Sequence, residues 1–462
     1  MQNFDAIVIG AGQAGPALAV RLAKSGRKTA IIERKLIGGT CVNVGCVPTK
    51  TLIASARAAH VARSGGEFGV VINGDVKMDM RRVKARKDAV VRHSNEGLTE
   101  WLKGTPNLQV IEGHACFESA HAIRVNQSVL HAKEIFINVG GRPSVPKLTG
   151  LADVSYFTSS SMMDIDFLPE HLIIIGGSYI GLEFAQMYRR FGSQVSVVEM
   201  GLRLIGREDE AVSLAVQKIL EKEDISIHLN ATCMKVARHS AGVLVTASCE
   251  PQPVKLAGSH LLLAVGRQPN THDLGLELAG VNTDARGFIS VDDQLRTNVD
   301  GIWAMGDANG RGAFTHTSWN DFEIVAANLL DNDPRRVSDR IPAYALFVDP
   351  PLARVGLTER EVLATGRAAL VGRMQMTRVG RARERGETQG LMSVLVDAET
   401  KKILGASLLG IEADEAIHCI LDVMAADAPY TVIQRAMHIH PTVSELIPTL
   451  FGDLKLLVPE AA

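Results

Sequence analysis

Apolar residues arrive along this chain in short runs, each closed by a glycine turn and followed by residues at helical spacing. The first run, Phe4 to Ile9, leads into Gly10-Ala11-Gly12-Gln13-Ala14-Gly15 and then an alanine-rich helical pattern from Pro16 to Lys24. A second run, Lys28 to Ile32, ends at Glu33, about 20 residues past the glycines. The same order recurs further on. Leu172 to Ile175 leads into Gly176-Gly177-Ser178-Tyr179-Ile180-Gly181, a helix continues to Arg190, and Gln194 to Val198 ends at Glu199. Strand, glycine turn, helix, strand and acid together make a dinucleotide-binding unit. The glycines let backbone approach a pyrophosphate at a helix N-terminus, and the carboxylate takes ribose hydroxyls. Two such units predict an α/β chain, with contacts at Gly10, Gly12, Gly15 and Glu33 in one and at Gly176, Ser178, Gly181 and Glu199 in the other. Ser178 replaces the middle glycine but is small enough to keep the turn near a phosphate.

Between the units, Met78 to Lys103 reads as a long basic amphipathic helix whose Arg81, Arg82, Lys84, Arg86, Lys87 and Arg92 form a solvated face. Leu108 to Phe117 is strand-like, and Ile135 to Gly140 is a buried strand closed by Gly141-Arg142-Pro143. Gly266-Arg267-Gln268-Pro269-Asn270 ends the second unit, and Ile302 to Met305 is a short strand before Gly306-Asp307. From about Arg340 strands such as Ala353 to Gly356 and Leu391 to Asp397 alternate with helices. The expected divisions are 1–149, 150–268, a return segment 269–338 and a last domain 339–462.

Length and composition agree with this organisation. At 462 residues the chain calls for two or three cores. A net charge of -2 leaves no footprint for nucleic acid or an acidic membrane. The N-terminus lacks the basic region of a signal peptide, and no apolar stretch reaches the roughly 18 residues of a membrane span. Of six cysteines only Cys41 and Cys46 are neighbours, while Cys116, Cys233, Cys249 and Cys419 read as small core residues. That usage suits a reducing cytoplasm.

The candidate chemistry lies in Gly38-Gly39-Thr40-Cys41-Val42-Asn43-Val44-Gly45-Cys46-Val47-Pro48-Thr49-Lys50, with a helix expected from Val47 to Ala62. A helix start favours a thiolate, so two thiols there suggest a redox pair. This string resembles the redox-active disulfide segment of the class I pyridine nucleotide-disulfide oxidoreductases, which include dihydrolipoamide dehydrogenase, glutathione reductase and mercuric reductase. The resemblance covers essentially the whole chain. It implies two Rossmann-like domains, one for FAD and one for NAD(H), with NADP(H) possible, and a C-terminal α+β dimerisation domain.

By this resemblance Glu33 contacts the FAD ribose, and Gly39, Thr40 and Lys50 surround the flavin. Ala115 of Gly113-His114-Ala115 lies along the adenine, Asp307 takes the ribityl chain, and Thr315 and His316 lie near the ring. In the second unit Tyr179 covers the flavin until nicotinamide arrives, Glu183 pairs with Lys50, and Gly266 closes the NAD site. Glu199 favours NADH because a carboxylate repels a 2'-phosphate, although nearby Arg203 leaves dual use open. His438-Ile439-His440-Pro441-Thr442-Val443-Ser444-Glu445 resembles the signature in which a histidine, here His440, is general acid/base and a glutamate, here Glu445, orients it. It implies a homodimer in which each protomer's His440 serves the other's Cys41–Cys46 disulfide, with Cys46 nearest the flavin and Cys41 exchanging with substrate.

The segment Ala345 to Gly356 and Ala382-Arg383-Glu384 look most like the mercuric-reductase-like flavoproteins related to the reactive-chlorine-resistance reductase. The resulting expectation is an NAD(P)H:acceptor oxidoreductase reducing a disulfide, a metal ion or a quinone, with no resident metal. Dihydrolipoamide dehydrogenase is the runner-up. A transhydrogenase or NADH oxidase working without the thiols, and a redox-sensing binding protein, are the remaining alternatives.

Overall fold

A computed structural model describes residues 2–248 and 252–458. The first apolar runs form a parallel five-stranded sheet in the order Ile302–Ala304, Glu134–Ile137, Ala6–Ile9, Thr29–Glu33, Leu108–Glu112. Four of its strands are nearly all buried on both faces, as continuous apolar runs require, while the edge strand Leu108–Glu112 is partly exposed. Helix α1 (Ala14–Lys24) leaves the first glycine turn and packs on this sheet. A second parallel sheet has the order Phe157–Thr158, His260–Leu263, His171–Ile175, Gln194–Val198, Ile225–His228. The C-terminal part is a six-stranded antiparallel sheet running from Ala343–Leu346 and Leu352–Gly356 at one edge to Lys455–Leu456 at the other. Two Rossmann-like α/β sheets and a C-terminal α+β unit are therefore present.

The chain leaves the first sheet through Gly141–Pro143 and returns through Arg267–Pro269, and these two segments pair antiparallel with each other. Helix α2 (Gly39–Val44) and helix α3 (Cys46–Ser64) carry the cysteines, and α4 (Met80–Lys103) lies against α3. In α3 the small or apolar Pro48, Leu52, Ala56 and Ala59 face inward, and α5 (Tyr179–Phe191) packs against them with Phe184, Met187 and Tyr188. Leu346, Val348 and Leu352 of the C-terminal part close the same apolar cluster, so one core ties all three units around α3.

Several expectations need correction. The strand expected over Leu108 to Phe117 is two strands in different sheets, Leu108–Glu112 and Ala115–Ser119, broken at Gly113, whose φ of +153° and crowding by Val125 exclude a side chain. The basic face of α4 is solvated at Arg81, Arg82, Arg86 and Arg92, but Lys87 is buried and paired with Asp88. Cys233 is exposed rather than core, Cys116 and Cys419 are half-buried, and Cys249 lies outside the described residues.

Candidate active site

Cys41 sits in α2 and Cys46 is the first residue of α3. The bend at Gly45 turns one cysteine back on the other, and a Cβ at Gly45 would meet the Thr40 carbonyl oxygen at 2.8 Å. Both cysteines are free thiols. The Thr315 hydroxyl lies between them, 3.1 Å from Cys41 Sγ and 3.2 Å from Cys46 Sγ. The two thiols are electrostatically unequal. Cys46 is pulled down to about 6 because Cys41 hydrogen-bonds to it, and Thr315 and the Lys50 ammonium add to this against burial and Glu183. Cys41 is pushed far up by the same pairing and by burial. Of the two, Cys46 is the one that ionises.

Lys50 lies one turn along α3, with its Nζ 2.7 Å from each oxygen of Glu183 on α5. Glu183 is buried and also accepts the Phe347 backbone N–H at 3.0 Å, while the Phe347 ring sits 4.5 Å from the ammonium. The helix Thr315–Ala326 brings Thr315 to the sulfurs, and its His316 Nε2 is 2.6 Å from the Ala343 carbonyl oxygen. Tyr179 opens α5, its ring edge-on to Phe314 and Tyr344 and its hydroxyl donating to Glu208 at 2.9 Å.

The two glycine turns repeat one geometry. A Cβ at Gly10 would meet Asn138 O at 2.3 Å and one at Gly15 would meet Gly10 O at 2.1 Å; in the second turn Gly176 and Gly181 are blocked at 2.4 and 2.0 Å. Gly12 has only an ordinary contact at 3.5 Å, and Ser178 fills the equivalent place in extended conformation. Glu33 accepts the N–H groups of Ala11 at 2.9 Å and Lys35 at 2.8 Å, and Glu199 those of Gly177 at 2.5 Å and Gly201 at 2.7 Å. Each acid is thereby aimed at its own turn. Gly39 is pressed onto the first turn, since its Cβ would come within 2.8 Å of Gly12 Cα, and the Gly38 N–H donates to Ala11 O. The redox segment and the first dinucleotide turn are therefore one surface. Ala115 is buried, and the neighbouring Gly113 N–H donates to the Glu33 carbonyl oxygen. Asp307 meets Arg267 at 3.3 Å beside Gly141, and open space surrounds the Cα of Gly266.

His440 stands apart from this cluster. Its Nδ1 lies 2.7 Å from Glu445 Oε2, yet the imidazole is 79% exposed, so its other nitrogen faces outward. Arg381 donates to the Pro441 carbonyl oxygen at 2.8 Å and steadies the loop. His438 makes only a 3.3 Å contact with Ala436 O among the described residues.

The sequence reading missed Glu208, Tyr344 and Arg354, which form a buried network beneath Tyr179, and Asp321, which accepts the Gly306 N–H and Asn309 and so braces the turn bearing Asp307. One signal was available: an arginine inside the apolar strand Leu352–Gly356 has to be paired.

Residues 4–321 match the pyridine nucleotide-disulphide oxidoreductase family, and residues 342–451 match the dimerisation domain of that name. The chain belongs to this family. It is 37% identical to the probable pyridine nucleotide-disulfide oxidoreductase RclA of Escherichia coli, over 98% of this chain and all of that protein. It is 32% identical to a mercuric reductase of Streptomyces lividans, over 96% of this chain and 95% of that protein. It is 34% identical to a dihydrolipoyl dehydrogenase of Chlorobaculum tepidum, over 96% of each. A solved structure, the Cu(II) complex of the HOCl-induced flavoprotein disulfide reductase RclA from E. coli, superposes with a TM-score of 0.88 at 36% identity, covering 98% of this chain and 99% of that one. The protein is a flavoprotein oxidoreductase of this family, using FAD and NAD(P)H.

The residues fit those cofactors. Neither α1 nor α5 has a side-chain cap, so the N–H groups of both first turns are left for a pyrophosphate. Among the described residues no helix is long and apolar enough to cross a membrane, and no group of three or more His, Cys, Asp or Glu could hold a metal.

Proposed function

We propose that this protein passes electrons from NADH to the Cys41–Cys46 pair and on to a disulfide, metal-ion or quinone acceptor, as a cytoplasmic homodimer. The observation that carries this reading is the inequality of the two thiols, which prepares Cys46 to remain a thiolate while Cys41 holds a proton. Gly10, Gly12, Gly15, Glu33, Gly39, Thr40, Lys50, Ala115, Asp307 and Thr315 would hold FAD. Gly176, Ser178, Tyr179, Gly181, Glu199 and Gly266 would hold NAD(H). When bound, FAD supplies two-electron chemistry between nicotinamide and sulfur. The Glu199 carboxylate favours NADH, because its charge repels a 2'-phosphate.

Opening the Cys41–Cys46 bond takes up two electrons and one proton, leaving a thiolate at Cys46 and a thiol at Cys41. With a disulfide acceptor, the Cys41 proton passes to His440 of the second protomer, whose ring Glu445 orients. Cys41 then attacks one acceptor sulfur, and the other sulfur leaves with that proton. The Cys46 thiolate attacks Cys41 in the mixed disulfide, re-forming the pair and releasing the second product. Lys50, fixed by Glu183, keeps positive charge near the Cys46 sulfur throughout. The Cu(II) complex of a similar protein supports including metal ions among acceptors.

Anaerobic titration of the purified holoenzyme with NADH tests this reading. The expected result is a long-wavelength absorbance band that is lost in Cys46→Ser, together with acceptor turnover that needs both cysteines. Plain bleaching of the flavin, with turnover surviving Cys41→Ser and Cys46→Ser, would overturn it in favour of a thiol-independent oxidase or transhydrogenase. Negligible NADH turnover with every acceptor would point to a redox sensor.

A further inference from the structure

We infer that Glu208 is a latch that holds the Tyr179 ring in place, and that Tyr344 makes this latch easy to release. Glu208 lies just before the helix Glu210–Lys222 and is 2% exposed. Its Oε1 accepts two hydroxyls, from Tyr179 at 2.9 Å and from Tyr344 at 2.7 Å, and its Oε2 accepts Arg354 Nε at 2.7 Å. Arg354 is itself buried in the strand Leu352–Gly356 and donates to Asp209 at 2.5 Å. The carboxylate is thus held from the dimerisation sheet and cannot turn to follow a moving tyrosine.

Tyr179 directly follows Ser178 of the second glycine turn and stands edge-on to Phe314, the neighbour of the Thr315 that touches both sulfurs. Its ring therefore stands between that turn and the start of the helix that carries Thr315. The inference rests on the reading above, in which Tyr179 belongs to the NAD(H) site and covers the flavin until nicotinamide arrives, so the ring must leave and its bond to Glu208 must break. A buried carboxylate stripped of its partners is costly, whereas one that keeps other donors loses only a single exchangeable bond. Tyr344 and Arg354 stay behind as those donors. Glu208 and Tyr344 act here as positioning residues, since neither is assigned contact with the reacting atoms.

Two hydroxyl deletions test this, because they leave the buried ion pair intact and act in opposite directions. Tyr179→Phe removes the latch and is expected to lower KM for NADH about threefold to tenfold. Tyr344→Phe leaves Tyr179 as the sole hydroxyl on Oε1, so the expected result is a KM raised by a similar factor, with the double variant resembling Tyr179→Phe. Steady-state kinetics of the FAD-loaded protein gives both, and unchanged thermal unfolding excludes a folding defect. Shifts in the same direction, or unmoved KM with turnover intact, would reject the latch alone. Absence of NADH oxidation in the parent holoenzyme would instead remove the reading on which the latch depends.

Discussion

Between the sulfurs of Cys41 and Cys46 stands one hydroxyl, that of Thr315, within 3.2 Å of both. An O–H donor stabilises a thiolate more than a thiol, so it lowers the pKa of the sulfur that ionises. Thr315→Val keeps the shape and deletes the donor. In the reduced enzyme the inflection for alkylation of Cys46 should then rise from about 6 by about one to two pH units, the equivalent of one hydrogen bond to a charged group. Iodoacetamide modification followed across pH measures this, and the variant should react more slowly below the inflection because less thiolate is present. At this scale the sequence was informative where residues sit in a recurring string: Lys50 and Glu183, far apart in the chain, do meet. Glu208 was illegible for a physical reason. It lies in the polar stretch Gly206-Arg207-Glu208-Asp209-Glu210, which reads as a solvated turn, and its burial comes from Arg354, 146 positions away.

Helix α3 carries the thiolate at one end and a strut further along. Arg57 on α3 and Arg190 on α5 both bind Asp349 of the C-terminal part, Arg57 also reaches Glu387, and Arg190 also reaches Glu223. Burial pushes the Asp349 carboxyl up, but Arg190 and Arg57 outweigh it and hold it below the usual range. Its folded pKa is lower than its unfolded one. The stability it adds is therefore complete above the unfolded value and is lost as pH falls through the folded one. Asp349→Asn should cost about 2 to 4 kcal/mol, because the buried Arg190 and the half-buried Arg57 keep only one acidic partner each, Glu223 and Glu387. Chemical denaturation at neutral pH measures that loss, and the gap to the parent protein should narrow toward pH 3. Long elements of this kind were visible in the apolar spacing, α1, α3, α4 and α5 among them. Helix α2 was not, since its six residues bury only Val42 and show no stripe. The break at Gly113 was hidden because a φ value leaves no trace in hydropathy.

For the molecule as a whole, the exposed imidazole of His440 is the telling feature, because the proton transfer proposed for it needs a reacting group on that open side. The dimerisation domain supplies the reason for a second copy. Co-expressing His440→Ala with Cys41→Ser protomers separates the possibilities. If His440 serves its neighbour, each mixed dimer has one complete site, and random pairing should restore about a quarter of parent activity. If it served its own chain, the mixture would be inactive. Acceptor reduction per flavin in the purified mixture decides between them. The C-terminal histidine signature was legible as a string, whereas the shared core around α3 was not, since contacts between three units follow from shape rather than from local pattern.

The paired segments Gly141–Pro143 and Arg267–Pro269 carry one last consequence. Neighbouring strands lie about 5 Å apart, so the coenzyme half enters and leaves the flavin half through a single doorway. Such a module can be exchanged as a cassette between relatives at those two seams. An engineer seeking a new electron donor would then need to preserve, on the transplanted side, the groups that bolt it to the rest, Glu183, Gln186, Arg190, Glu208 and Asp209 among them, together with the apolar face of α5.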